Sequence, residues 1–151
     1  MMNKQWYPER FQQVVNALKD RFQFVQLGAA ADPLLDHVID RRGQTGFRET
    51  AAILEQCRVF VGNAGFQMHL ARAVECRSVI VYGGREAPWQ SGYACNVNLY
   101  SPVACAPCWR WNTCDHNRMC MDQITAAHVI EAIEQVTTAK PEPLKLDVVT
   151  L

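Results

Sequence analysis

The chain has 151 residues, enough for one ordinary domain with a real hydrophobic core. Its 15 basic and 15 acidic residues cancel, so no whole-chain field recruits nucleic acid or an anionic membrane. The opening MMNKQWYPERF turns charged too early for a secretory signal, and no apolar run approaches the roughly 20 residues of a membrane span, so a cytoplasmic protein is expected.

The first predicted element is a helix from Pro8 to Phe22, with Phe11, Val14, Val15, Leu18 and Phe22 at helical spacing and Pro8 in its first turn. FVQL, Phe24 to Leu27, reads as a strand ending at Gly28. Asp32 followed by Pro33 reads as a helix cap and first position, with Leu34, Leu35, Val38 and Ile39 on the inner face. RRGQTG is a turn, and a helix from Phe47 to Cys57 follows. Val59 to Val61 reads as a buried strand opening into Gly62, Asn63, Ala64 and Gly65, and a helix runs on to Glu75. Ser78 to Tyr82 is a strand before Gly83 and Gly84, and Asn96 to Tyr100 is another. Thr125 caps a last helix with Val129, Ile130, Ile133 and Val136 on one face. Strands alternating with helices predict an α/β fold: a Rossmann-like parallel sheet with helices on both faces. The domain is expected over residues 1–137, with residues 138–151 as a C-terminal extension.

Four of the seven cysteines, Cys105, Cys108, Cys114 and Cys120, fall within CAPCWRWNTCDHNRMC. A C-x2-C pair followed by two further thiols suits one tetrahedral ion, and four thiolates leave no open position, so such a site is structural. Zinc is the default for four sulfurs, and iron fits the same geometry. Two disulfides, or reduced cysteines without a ligand, are the alternatives. A thiol redox role for CAPC is a weaker fit, because that motif belongs at a helix start after a first strand.

In open parallel sheets ligands bind beyond the carboxyl ends of the strands. Three loops qualify: Gly28 to Asp32, Gly62 to His69, and Gly83 to Trp89. Glycines there let backbone approach a ligand, and the helix after Gly65 offers free N–H groups to an anion. Any α/β domain has glycines after its strands, so the pattern alone is weak. Arg85 could pair with phosphate or sit on the surface. Trp89, Tyr93 and Tyr100 could stack on a base or fill core; His116 and His128 belong to no constellation.

FVGNAGFQMHLARAV, with RRGQTGFRETAAIL before it and SVIVYGG after it, resembles the family-nine glycosyltransferases, the heptosyltransferases. Their donor-binding domain carries a G-N-D-S-G-x-M-H-L-A turn and helix. Gly43, Thr45, Arg48, Glu49, Ala51, Ala52 and Leu54 match the upstream G-x-T-x-x-E-x-A-x-x-L stretch. The Cys105/Cys108 pair, Cys120-Met121-Asp122-Gln123-Ile124 and the opening KQWYPERFQQVV also match, so the likeness runs from Lys4 to about Val136.

The resemblance implies the C-terminal, donor-binding half of a two-domain GT-B enzyme. That half binds a nucleotide-diphospho sugar and supports inverting transfer of a heptose-like sugar to an acceptor hydroxyl. It points to Gly28, Asp32, Thr45, Glu49, Asn63, Gly65, His69, Gly83, Gly84 and Arg85 as the donor site. It assigns no catalytic residue, because the general base belongs to an acceptor domain or partner chain. The family's acid in the central turn falls on Ala64 here. His69 is read as donating to the diphosphate or as a satisfied half-buried histidine; Asp32 as a ribose contact or a helix cap; Thr45 and Glu49 as diphosphate contacts or loop supports. A metal-stapled module that binds a nucleotide or partner without turnover is the alternative, and a homo-oligomer fits either reading.

Overall fold

A computed structural model describes residues 1–138. Residues 139–151, nearly all of the expected extension, lie outside the described residues; Thr138 itself closes the last helix.

After a short 3-10 turn at Met2–Lys4, helix α1 (Pro8–Leu18) leads to strands β1 (Phe24–Gln26) and β2 (Val38–Asp40). Helix α2 (Phe47–Gln56), strand β3 (Phe60–Asn63), helix α3 (Phe66–Ala73) and strand β4 (Ser78–Tyr82) follow. A turn of helix, α4 (Pro88–Ser91), precedes β5 (Val97–Tyr100), and the short α5 (Met119–Asp122) precedes α6 (Ala126–Thr138). Every strand pair is parallel, as the alternating pattern requires. Pairing is divided between two sheets: β1 with β2, and β3–β4–β5 with β4 in the middle.

All five residues of β4 are buried, and their alternation divides the core. Val79 and Val81 face one cluster with Trp6, Val14, Leu18, Val129 and Ile133 from the α1/α6 side. Ile80 and Tyr82 face another with Leu54, Phe60, Met68 and Ala71 from the α2/α3 side. Each fully buried aliphatic side chain of this size contributes about 1.5–3 kcal/mol, so a strand buried on both faces anchors both helical layers. Trp6 joins the layers to the chain's start: it is buried, donates Nε1–H to the Ile124 carbonyl at 2.9 Å, and meets Phe11 edge-on at 4.8 Å.

One expected element is absent. No helix follows Pro33; Leu34 is exposed, and Val38–Asp40 forms β2, in register with Phe24–Gln26. The Gln26 side chain explains it. Its amide donates to the Pro33 carbonyl at 2.8 Å and accepts from the Leu35 N–H at 2.9 Å, satisfying backbone that a helix would otherwise satisfy. His37 then takes a left-handed φ of 60°, which ends any helical path before the β-branched Val38 and Ile39. Asp32 is therefore a loop residue rather than a helix cap.

Candidate functional site

The loops after β1, β2 and β3 come together. Gly28, Asp32, Asn63 and Gln67 line one groove of about 960 Å³. Gly43 donates its N–H to the Gly28 carbonyl at 2.8 Å, joining the β2 loop to the β1 loop. Phe47 and Phe66, the first residues of α2 and α3, meet with ring centroids 4.7 Å apart and planes tilted by 50°, so two helix N-termini sit side by side. Gly28 has a φ of 150°, and a Cβ there would collide with the Asp32 carboxylate; that carboxylate accepts the Ala29 N–H at 2.7 Å and shapes the loop.

Most polar groups here already have partners. Thr45 Oγ1 lies 2.9 Å from Thr50 Oγ1. Glu49 accepts the Gly46 N–H at 2.6 Å, half of a capping box, since Gly46 has no side chain to return. Asn63 Oδ1 accepts the Trp6 N–H at 2.9 Å. His69 is exposed, and its Nδ1 lies 2.8 Å from the Tyr93 hydroxyl, which fixes the ring without covering it. Gly65 precedes α3 with no side-chain cap, leaving the first N–H groups of that helix for another acceptor. Ala64 is buried in the α2/α3 core cluster, so the position where the family has an acid is apolar here.

Arg42 ties the β2 loop down. It donates Nε–H and Nη2–H to the two Asp40 oxygens, each at 2.9 Å, and a third N–H to the Asp32 carbonyl. Those bonds hold the Asp40 carboxyl down at about 2, below its ordinary value of 3.8. A depressed carboxyl stabilises the fold above its unfolded value and loses that contribution as it is protonated in the native state. Acidification from about pH 4 to pH 2 is therefore expected to loosen the Asp32–Arg42 loop, read as faster amide exchange there, and Asp40→Asn should abolish that pH dependence.

The β4 loop differs. Gly83 and Gly84 are both buried. A Cβ on Gly83 would collide with the Asn3 carbonyl and Met121, so this glycine serves close packing of the N-terminal segment. Asn3 is itself buried and donates to the Arg110 and Thr113 carbonyls at 3.3 and 2.9 Å, while Lys4 pairs with Glu86. Arg85 donates to the Trp109 and Arg110 carbonyls at 2.8 and 3.1 Å and lies 4.5 Å over the Trp111 ring. These three residues are thus engaged with the cysteine segment and the N-terminal segment. Of the ten donor-site residues read from the sequence, Gly28, Asp32, Thr45, Glu49, Asn63, Gly65 and His69 lie on the loops after β1, β2 and β3 or the helices those loops open.

Phe47 and Phe66, 72% and 52% exposed, were not singled out from the sequence. Each directly follows the glycine that starts its helix, and an aromatic in that position is the signal that could have marked them.

Cys105, Cys108, Cys114 and Cys120 all line one cavity of about 200 Å³ beneath Gly84, with Asp115 and His116 at its wall. Gly84 donates its N–H to Cys120 Sγ at 3.1 Å, and Arg118 its backbone N–H to Cys114 Sγ at 3.2 Å. Among the described residues no three Cys, His, Asp or Glu side chains stand close enough to hold an ion as they are, and all seven cysteines are free. Four cysteine sulfurs are the donor chemistry of a thiolate-bound metal, but the expected metal-stapled loop is not shown among the described residues. Cys76, away from the cluster, is pushed up to about 11 by burial and the neighbouring Cys57.

A sequence model for glycosyltransferase family 9 (heptosyltransferase) matches residues 1–115. No match is found among curated proteins. Solved structures share the fold. The iron-containing dodecameric glycosyltransferase TibC from enterotoxigenic E. coli H10407 superposes with a TM-score of 0.77 at 18% identity, over 90% of this chain and 42% of that one. TibC in complex with ADP-D-beta-D-heptose gives 0.78 at 18% identity, over 91% and 42%. E. coli ADP-heptose lps heptosyltransferase II gives 0.73 at 18% identity, over 91% and 43%. This chain therefore spans less than half the length of each of those structures. No helix among the described residues is long and apolar enough to cross a membrane. With its family signature running through the loops after β1, β2 and β3 and into the cysteine segment, the chain belongs to glycosyltransferase family 9, the heptosyltransferase family.

Proposed function

We propose that this chain is the donor-binding half of a GT-B glycosyltransferase that passes a heptose-like sugar from a nucleotide-diphospho sugar to an acceptor hydroxyl with inversion. The observation that carries the reading is the convergence of the β1, β2 and β3 loops at one groove end, where α2 and α3 start side by side. A diphosphate seated there would meet the uncapped N–H groups of α3, and His69 one turn further on could donate to it. The developing charge on the departing diphosphate would be stabilised by dipoles already in place, which is electrostatic catalysis. The exposed Phe47–Phe66 pair offers a face for the base or sugar. TibC's complex with ADP-D-beta-D-heptose supports an ADP-sugar as donor. TibC's iron and its dodecameric state support a structural metal on Cys105, Cys108, Cys114 and Cys120, and a homo-oligomer. A cytoplasmic location belongs to the same reading.

Calorimetric titration of the chain with ADP tests it. His69→Ala is expected to weaken ADP binding by about 1–2 kcal/mol, roughly five- to thirtyfold, with an unchanged melting temperature, and added salt should weaken it further. Unchanged affinity in a folded His69→Ala protein removes His69 from the site, and no ADP binding at millimolar concentration removes the donor reading.

A further inference from the structure

Arg118 alone among the described residues lines both the groove of about 960 Å³ and the cysteine cavity of about 200 Å³. Its backbone belongs to the cysteine segment. Asn117 and Arg118 take left-handed φ values of 49° and 57° just before α5, a conformation that residues with a Cβ adopt only with support. The Arg118 backbone N–H supplies part of that support by donating to Cys114 Sγ at 3.2 Å. The side chain reaches elsewhere, and its Nη2 donates to the Gln5 carbonyl.

That carbonyl and the Trp6 N–H belong to one planar peptide group, and the Trp6 N–H donates to Asn63 Oδ1 at 2.9 Å. Arg118 and Asn63 therefore hold the two ends of a single peptide unit. Asn63 closes β3 two residues before Gly65, where α3 opens with no side-chain cap. Bonds to Gln5 and Cys114 thus place a guanidinium beside the loop between β3 and α3. The placement stands whatever occupies the depth of the groove behind it.

The guanidinium is held but not neutralised. It lies 4.5 Å over the Tyr7 ring, and its Nε is buried with no hydrogen-bond partner among the described residues. Arg10, Arg21, Arg42 and Arg110 each pair with a carboxylate, whereas none among the described residues pairs with Arg118. Asp122, one turn along α5, pairs with Arg10 at 3.6 Å instead. The other arginine on the groove, Arg58, stands before β3 at the opposite end and donates to the Thr137 carbonyl at 2.8 Å. A buried Nε–H without an acceptor calls for one, and a planar, always-charged fork suits the oxygens of a phosphate.

On the proposed donor reading, on which this rests, we infer that Arg118 is a phosphate contact of the donor groove, supplied by the cysteine segment. Its ligand is a nucleoside diphosphate that also meets the first N–H groups of α3. The cysteine segment then takes part in binding as well as in stability, because disturbing the turn at Asn117 and Arg118 displaces a charge from the donor site.

Calorimetric titration of the full chain with ADP at two ionic strengths compares the wild type with Arg118→Gln. Glutamine keeps a donor for the Gln5 carbonyl and loses the charge. The variant is expected to melt as the wild type does, to bind ADP at least about tenfold more weakly at low salt, and to show a shallower salt dependence. Arg118→Lys, which restores charge without the fork, should recover part of the affinity and the salt dependence. In the wild type, the Arg118 Nε–H resonance should shift on adding ADP, a readout that needs no variant; no shift at saturating ADP overturns the contact. A folded Arg118→Gln protein with wild-type affinity and salt dependence also overturns it and leaves the donor reading standing. Weaker binding with an unaltered salt dependence makes Arg118 a positioning residue only, against the proposal. Wild-type protein that binds no ADP removes the donor reading and this contact together.

Discussion

Purified protein is expected to carry about one iron or zinc ion per chain, and Cys108→Ser should release it and loosen the whole segment from Cys105 to Cys120. Trp109, Trp111 and Met119 are exposed, and the segment is tied to the body by hydrogen bonds through Asn3, Arg85, the Gly84 carbonyl and Met2, with Cys120 buried in the core. All four thiols line one cavity of about 200 Å³, which is the place a common ion would occupy. Two backbone N–H groups already point at sulfur, and burial, with the neighbouring Cys114 and Cys105 thiols, pushes the Cys120 thiol up, so an ion would recover the cost of ionising it. Losing one of four ligands should lower metal affinity by at least about a hundredfold. At ion concentrations near a hundred times the dissociation constant, release would cost about 2.7 kcal/mol of stability. Metal analysis and thermal melting with and without a chelator check this. Metal-free folded protein with four freely reactive thiols and unaltered melting in Cys108→Ser would end the idea.

The same cluster shows what sequence carries and what it leaves out. Cysteine spacing brought four thiols to one cavity because a short loop has few ways to arrange them. Ser78–Tyr82 was legible because a parallel strand buried on both faces must be continuously apolar, and β-branched residues fill it. Asp32–Ile39 was misread because Asp-Pro is a strong local helix start, while the deciding interaction comes from Gln26, outside the segment. The division of pairing between β1–β2 and β3–β4–β5 cannot be read from the strands themselves. A strand's own residues read the same whether its neighbour is present or absent, so pairing partners are invisible in a single strand's pattern.

Within the site, glycines after strands were visible but their purpose was not. Gly28 bends a loop around a carboxylate, and Gly83 admits the Asn3 carbonyl, yet both read as openings for a ligand. The difference lies in Asn3 and Met121, 80 and 38 positions away along the chain, for Gly83 and in Asp32, only four away, for Gly28, so only the second was locally available. His69 was read through its motif, and its exposure on α3 beside Tyr93 is compatible with a donor contact.

Sugar transfer from an ADP-sugar by residues 1–151 alone is expected to be undetectable, and to appear only when a polypeptide bearing an acceptor site faces the groove. Inverting transfer needs a base to take the acceptor's proton as the anomeric carbon is attacked, a contribution of about 10²–10⁴ in rate. The carboxylates near the donor edge are already committed: Asp32 to the Ala29 N–H, Asp40 to Arg42, and Glu49 to the Gly46 N–H. Each already accepts a hydrogen bond from a neighbour within a few residues along the chain. Positioning is the larger loss. Holding an acceptor hydroxyl in line with the anomeric carbon is worth about 7–11 kcal/mol when a second surface supplies it, and these loops offer only the donor's side. The check is a radiolabelled-sugar transfer assay on the contaminant-free chain, first alone and then with the candidate second half added. Robust turnover by the chain alone would show that the described residues contain both an acceptor site and a base, and the two-part reading would fall.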